Sequence, residues 1–127
     1  MAETAEGMDH ILVVDDDEDI RELIIDYFSS FYIVSLANNG EEGLKLFKEH
    51  VDNHPFHLVL TDVLMPGLDG VSLAKEIRKL SPDVPIIALT GAPDLEERDT
   101  DVFNELYTKP IDFREVYHKM GDYLKPY

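Results

Sequence analysis

The stretch Leu58-Val59-Leu60-Thr61-Asp62-Val63-Leu64-Met65-Pro66-Gly67-Leu68-Asp69-Gly70 constrains the fold more than any other part of the chain. Leu58, Val59 and Leu60 are consecutive and apolar, so they read as a strand buried on both faces. That strand ends in a carboxylate, Asp62. Met-Pro-Gly follows. Pro66 presets the first turn angle and Gly67 accepts a positive φ at the next position, so a type II turn fits. Asp69 stands as N-cap to a helix that opens at Gly70. A carboxylate at the C-terminal end of a buried strand lies where open α/β sheets place their chemistry.

The rest of the chain repeats this strand-to-helix grammar. Ile11-Leu12-Val13-Val14 is a buried strand that runs into Asp15-Asp16-Asp17-Glu18-Asp19. Ile20, Leu23, Ile24, Tyr27 and Phe28 form one helical face, and acids in the first turn suit the helix dipole. Phe31 to Leu36 is a strand diluted by Ser35, and so an edge. Asn39 and Glu42 resemble a capping box for a helix striped by Leu44, Phe47 and Val51. Asp52-Asn53-His54-Pro55 stops it. Leu73, Ala74, Ile77 and Leu80 line a third helix, ended by Ser81-Pro82. A fourth strand, Val84 to Leu89, finishes in Thr90-Gly91. Asp94 with Glu97 opens a fourth helix whose body, residues 98–101, has poor helix propensity. Leu106-Tyr107-Thr108 is a short fifth strand leading into Lys109-Pro110. Asp112 and Glu115 make a second capping box before a helix lined by Phe113, Val116, Tyr117, Met120 and Leu124.

Five such alternations predict one domain over residues 10–127 after a tail of residues 1–9. It would be a parallel sheet with helices on both faces. Right-handed crossovers bring every strand's C-terminal end to one rim. Asp15, Asp16, Asp62, Thr90 and Lys109 therefore meet there, although they are far apart in sequence.

Composition narrows the function. There are 27 acidic and 11 basic residues, for a net charge of −16, which disfavours binding to nucleic acid or an anionic membrane. The chain has no cysteine, which excludes disulfides, thiolate metal sites and cysteine nucleophiles. Residues 1–7 lack a signal peptide's basic start and apolar run, and no later run suits a membrane span, so a cytoplasmic location is expected. His50, His54 and His57 are closely spaced, but Pro55 interrupts them, which favours a plain loop over a metal site. His10 and His118 show no partner in the sequence. Tyr27 and Phe28 read as core.

The rim has a chemistry of its own. Three carboxylates close together repel, and their pKa values rise unless a cation intervenes. Oxygen-only ligands select a hard cation, and Mg2+ is the one expected. Lys109 adds a fixed positive charge and Thr90 a hydroxyl. This set suits phosphoryl transfer to a carboxylate nucleophile, giving an aspartyl phosphate.

From about His10 to Leu124 the chain resembles the receiver domain of two-component response regulators. The resemblance is carried by Leu12-Val13-Val14-Asp15-Asp16, Asp62 through Gly70, Leu89-Thr90-Gly91 and Lys109-Pro110. It implies a three-layer, doubly wound (βα)5 flavodoxin-like α/β fold with strand order 2-1-3-4-5. The site would lie at the switch point between strands 1 and 3. The resemblance also assigns roles. Asp62 is the phosphoacceptor. Asp16 binds Mg2+ directly and Asp15 through water, with Asp62 and the Leu64 carbonyl completing the protein ligands. Lys109 pairs with phosphoryl oxygens, Thr90 is the switch hydroxyl, and the backbone N–H groups of Val63 and Gly91 donate to the phosphoryl group. Lys109-Pro110 is similar to the family's cis peptide, which proline makes accessible. The implied donor is a sensor histidine kinase or a histidine phosphotransfer protein. Such a domain catalyses only its own phosphorylation and dephosphorylation and acts as a switch. A phosphorylation-dependent dimer is left open. So is the choice between a stand-alone receiver like the chemotaxis regulators and a segment of a larger regulator or hybrid kinase.

The chain departs from the family's pattern in places. Leu106 stands where an aromatic switch residue is usual, and Tyr107, next along the strand, should face the other way. The interval from Thr90 to Lys109 is short and lacks the usual small-residue pair, so a short or irregular fourth helix is expected. Leu64 and Ala92 cannot position a water through their side chains, which predicts unhurried hydrolysis of an acyl phosphate. Two other functions stay open on residues alone. One is a haloacid dehalogenase-type phosphatase, whose spacing Asp15 and Asp17 share but which leaves the Met-Pro-Gly turn unexplained. The other is an interaction module that does not use phosphorylation.

Overall fold

The computed structural model describes residues 8–91, 95 and 97–124. Its elements are β1 (His10–Val14), α1 (Glu18–Phe28), β2 (Ile33–Ala37), α2 (Gly40–His50), β3 (Leu58–Asp62), α3 (Gly70–Leu80), β4 (Ile86–Thr90), α4 (Glu97–Thr100), β5 (Glu105–Thr108) and α5 (Phe113–Met120). The strands form one parallel sheet in the order β2-β1-β3-β4-β5. This is the flavodoxin-like α/β fold that the sequence predicts.

Side-chain alternation along the buried strands forces helices onto both faces. Leu12, Val14, Val59 and Ala88 pack with Phe47 of α2 and with Leu73 and Ile77 of α3. Ile11, Val13, Leu60 and Ile87 pack on the other side with Ile24 and Phe28 of α1 and Val116 and Met120 of α5. The caps form as the sequence indicates. Asp69 Oδ1 accepts the Ser72 amide at 2.8 Å, and Asn39 Oδ1 accepts that of Glu42 at 2.8 Å. Asp112 Oδ1 accepts from Arg114 and Glu115. Each such cap contributes about 1 kcal/mol. Glu42 reaches back to the Asn38 amide, one residue before the cap.

Three stripe positions fall outside the core. Leu23, Val51 and Leu80 are 51%, 37% and 41% exposed. The burial of α1 centres on Ile24 and Phe28, which turns Leu23 to the edge of the stripe. Val51 is the C-cap of α2 and Leu80 the last residue of α3, both at helix ends. The second strand begins at Ile33 because the Phe28 carbonyl accepts the amides of both Phe31 and Tyr32 and holds them in a turn. The fourth begins at Ile86, with Val84 buried ahead of it. α4 is a single turn, as the poor propensity of its sequence requires, and Asp94 lies outside the described residues.

A side-chain latch holds the short link from α4 to β5. Arg78 on α3 donates to the carbonyls of Val102, Pro82 and Val84 and to Asn104 Oδ1. The same Asn104 oxygen accepts the Ile86 amide at 2.8 Å, so α3, β4 and the entry to β5 share one knot of hydrogen bonds.

The opposite end of the sheet is pinned by His10, which does have partners. Its Nδ1 lies 3.1 Å from the His54 carbonyl and its Nε2 2.8 Å from Ser35 Oγ. A carbonyl only accepts, so Nδ1 carries the proton and Nε2 of the neutral ring accepts from the Ser35 hydroxyl. The contact ties β1 to the loop where His54 adopts a φ of 56°. Burial pulls the His10 pKa below 6.5, the His54 hydrogen bond opposes this, and His50, His57 and His54 lower it further. Above 6.5 His10 is neutral in both folded and unfolded chains. As pH falls below that, the unfolded chain takes up the proton first, so stability is lost. In urea unfolding, wild type should therefore lose stability relative to His10→Asn as pH falls from 7.5 to 5.5. An unchanged slope in the variant would contradict this role for His10.

Candidate functional site

Four of the five strands deliver their chemistry at the same rim. β1 ends at Val14, and buried Asp15 and exposed Asp16 follow. β3 ends in Asp62, which is 6% exposed, and β4 ends in fully buried Thr90. Lys109 follows β5, and its backbone N–H donates to the Thr90 carbonyl at 2.7 Å. The peptide from Lys109 to Pro110 is cis. Strands β2 and β3 flank β1, so the acidic residues sit where the chain's crossovers diverge to either side.

The turn after Asp62 is built around glycines. Gly67 has a φ of 77°, as the type II turn requires. A Cβ on Gly70 would lie 2.1 Å from the Asp62 carbonyl oxygen, so α3 can start this close to β3 only with glycine there. Glu41 Oε2 accepts the Leu68 amide at 3.1 Å and ties the turn to α2.

The carboxylates are held apart from one another and near one cation. Lys109 Nζ lies 3.1 Å from Asp62 Oδ2 and 3.4 Å from Asp15 Oδ2. Asp15 Oδ1 accepts the Asp17 amide at 2.9 Å, and Asp62 Oδ1 accepts the Val63 amide at 2.7 Å. Burial raises the Asp15 pKa. The Asp17 hydrogen bond opposes this, Asp62 adds to it, and Lys109 offsets part of it. Burial pulls Lys109 down, but the hydrogen bond to Asp62 and the charges of Asp15 and Asp62 outweigh it and raise its pKa. The lysine therefore stays charged.

One carboxylate oxygen from each of Asp15, Asp16 and Asp62 lies within 4.8 Å of the others. When ionised, three carboxylates against one ammonium leave the cluster doubly negative. The donors are all oxygen. Charge and donor type both fit a hard divalent cation such as Mg2+. His50, which ends α2 rather than lying in the expected loop, and the loop residues His54 and His57 form no comparable group among the described residues.

Every predicted site residue lies at or beside this rim. Thr90 is buried at its strand end, the Val63 amide donates to Asp62, Gly91 has open space where a Cβ would stand, and the Leu64 side chain is 62% exposed. Ala92 lies outside the described residues. Leu106 packs on the α2–α3 face of the sheet and Tyr107 on the α1–α5 face, opposite ways as the alternation predicts. Two contributors escaped the sequence reading. Asp17 gives its amide to Asp15, and Arg21 Nη1 donates to the Asp15 carbonyl at 2.7 Å. A lone arginine in an otherwise acidic helix start was the available signal for Arg21.

Comparison with known proteins agrees with this geometry. The family model of the response regulator receiver domain matches residues 11–120. A probable transcriptional regulator, ycf27 of Cyanidium caldarium, is 38% identical over 120 residues, which cover 91% of this chain and 46% of that protein. The autoinducer 1 sensor kinase/phosphatase LuxN of Vibrio campbellii is also 38% identical over 120 residues, 90% of this chain and 13% of LuxN. The chain thus spans under half the length of these curated relatives. The structure of response regulator TrrA of Thermotoga maritima in complex with Mg2+-BeF matches with a TM-score of 0.83 and 36% identity, covering 92% of this chain and all of that one. Another structure holds TrrA in complex with histidine kinase ThkA; there TrrA matches with a TM-score of 0.80. Among the described residues no helix is long and apolar enough to cross a membrane. These matches displace the phosphatase alternative: the chain belongs to the response regulator receiver domain family of two-component signalling.

Proposed function

We propose that residues 10–127 form a cytoplasmic receiver that takes a phosphoryl group from a phosphohistidine onto Asp62, in a Mg2+-dependent reaction, and so switches a protein-interaction surface. The observation that carries this reading is the meeting of Asp15, Asp16 and Asp62 within 4.8 Å, with Lys109 3.1 Å from Asp62. Asp15, Asp16, Asp62 and the Leu64 carbonyl would hold the Mg2+, which supplies charge neutralisation at the nucleophile and at the phosphoryl oxygens. Asp62 attacks phosphorus through a carboxylate oxygen. A P–O bond forms as the P–N bond to the donor imidazole breaks, and the imidazole leaves with that electron pair. Lys109 turns from the free carboxylates to the phosphoryl oxygens. The Val63 and Gly91 amides donate to the same oxygens. Thr90 moves its hydroxyl onto the new charge and biases the β5 region. Leu106 makes a smaller swing than an aromatic would.

The ThkA–TrrA complex and the kinase LuxN support a sensor histidine kinase as donor, and a histidine phosphotransfer protein would present the same chemistry.

Beryllofluoride, a phosphoryl mimic, gives a direct test by 19F NMR. Bound fluoride signals should appear for wild type only with Mg2+ and be absent in Asp62→Asn. No bound signal in wild type, or an unchanged one in the variant, would sink the reading. Once Asp62 is phosphorylated, Leu64→Asn should speed loss of the phosphoryl group on the order of tenfold, by giving the attacking water a hydrogen-bond partner. An unchanged rate would show that the exposed Leu64 does not set the lifetime.

A further inference from the structure

The geometry points to Arg21 as a positioning residue for the cation site, acting through the peptide that joins Asp15 to Asp16. This rests on the reading of the rim as a divalent-cation site.

Asp15 is fixed at every polar group. Its amide donates to the Ala37 carbonyl at 3.2 Å. Its carboxylate takes the Asp17 amide on one oxygen and faces Lys109 with the other. Its carbonyl is held by Arg21 Nη1 at 2.7 Å, the short end of the range and typical of a charge-assisted bond. Asp16 differs. Its side chain is exposed, and among the described residues its carboxylate has no hydrogen-bond partner. The direction in which it leaves the chain is therefore set by the backbone. The Asp15 carbonyl belongs to the peptide immediately before Asp16. Arg21 holds that peptide plane, and with it the aim of the most exposed of the three carboxylates.

The support behind Arg21 is firm. Its own amide donates to the Asp17 carbonyl at 3.1 Å, so it rides on the first turn of α1. Glu18, Glu22 and Asp26 share its cleft, yet none of them lies within ion-pair distance among the described residues. The guanidinium instead spends its directional bond on the Asp15 carbonyl.

Charge and geometry make opposite predictions here. A positive charge near the rim repels a divalent cation, so on Coulomb grounds removing it tightens binding. Loss of the hydrogen bond frees the Asp15–Asp16 peptide and weakens binding. A partner of this kind behind the ligands is worth about tenfold or more in metal affinity.

Electron paramagnetic resonance of free Mn2+, which takes the same oxygen ligands, measures the affinity directly. Arg21→Met should bind Mn2+ about tenfold more weakly than wild type. Arg21→Lys, which keeps the charge and loses the planar fork, should fall between them. Affinity that is unchanged or tighter in Arg21→Met, with or without a lower Tm, would overturn the inference and leave the cation site standing. If Arg21→Met does not fold, Arg21→Lys decides: weaker binding than wild type at equal charge supports it, and equal binding overturns it. Wild type that binds no Mn2+ would overturn both the cation site and the role of Arg21.

Discussion

The Lys109 ammonium, 3.1 Å from Asp62 and 3.4 Å from Asp15, is the interaction on which the rim depends. Carboxylates this close repel, and burial makes Asp15 resist ionisation. A lysine shared between two of them keeps the cluster together without neutralising it. The remaining negative charge and the all-oxygen donors are what fit the rim to the divalent cation proposed for it. The fold serves this arrangement. Parallel strands with both faces buried must send their crossovers over the sheet, and their ends then face one way. Asp15, Asp62, Thr90 and Lys109 come from four different strand ends for that reason.

The close approaches around Asp62 follow from small residues. Gly70 lets α3 begin against the Asp62 carbonyl, and Gly67 turns the chain between them. Glu41 and Arg21 reach in from α2 and α1 and grip the backbone of the β3–α3 and β1–α1 loops. The loops that carry the site are thus held by long polar side chains from rigid helices. At the other pole His10 on β1 and Arg78 on α3 grip the loops before β3 and β5.

The sheet and its rim were legible in the sequence because their signals are local. Continuous apolar runs leading to Asp15, Asp62 and Thr90 mark buried strands, and Asn39, Asp69 and Asp112 sit at real helix starts. What escaped depends on contacts between distant parts of the chain. Nothing near His10 announces its bond to His54, and nothing near Arg78 announces Val102 or Asn104. The limits of the stripes escaped for a related reason. Periodicity says which way Leu23, Val51 and Leu80 point, but how far the sheet extends beneath each helix is a tertiary fact. The short α4 was legible from its poor propensity and from the brief interval between Thr90 and Lys109.

Asp62 is proposed to accept a phosphoryl group with a divalent cation at its side. Intact mass after incubation with acetyl phosphate and Mg2+ tests it most directly, for wild type and Asp62→Asn together. One added phosphoryl group is expected on wild type, absent from the variant and absent when EDTA removes the metal. Folded wild type that gains no phosphoryl group at any time after mixing, or an Asp62→Asn chain that gains one equally well, would contradict it.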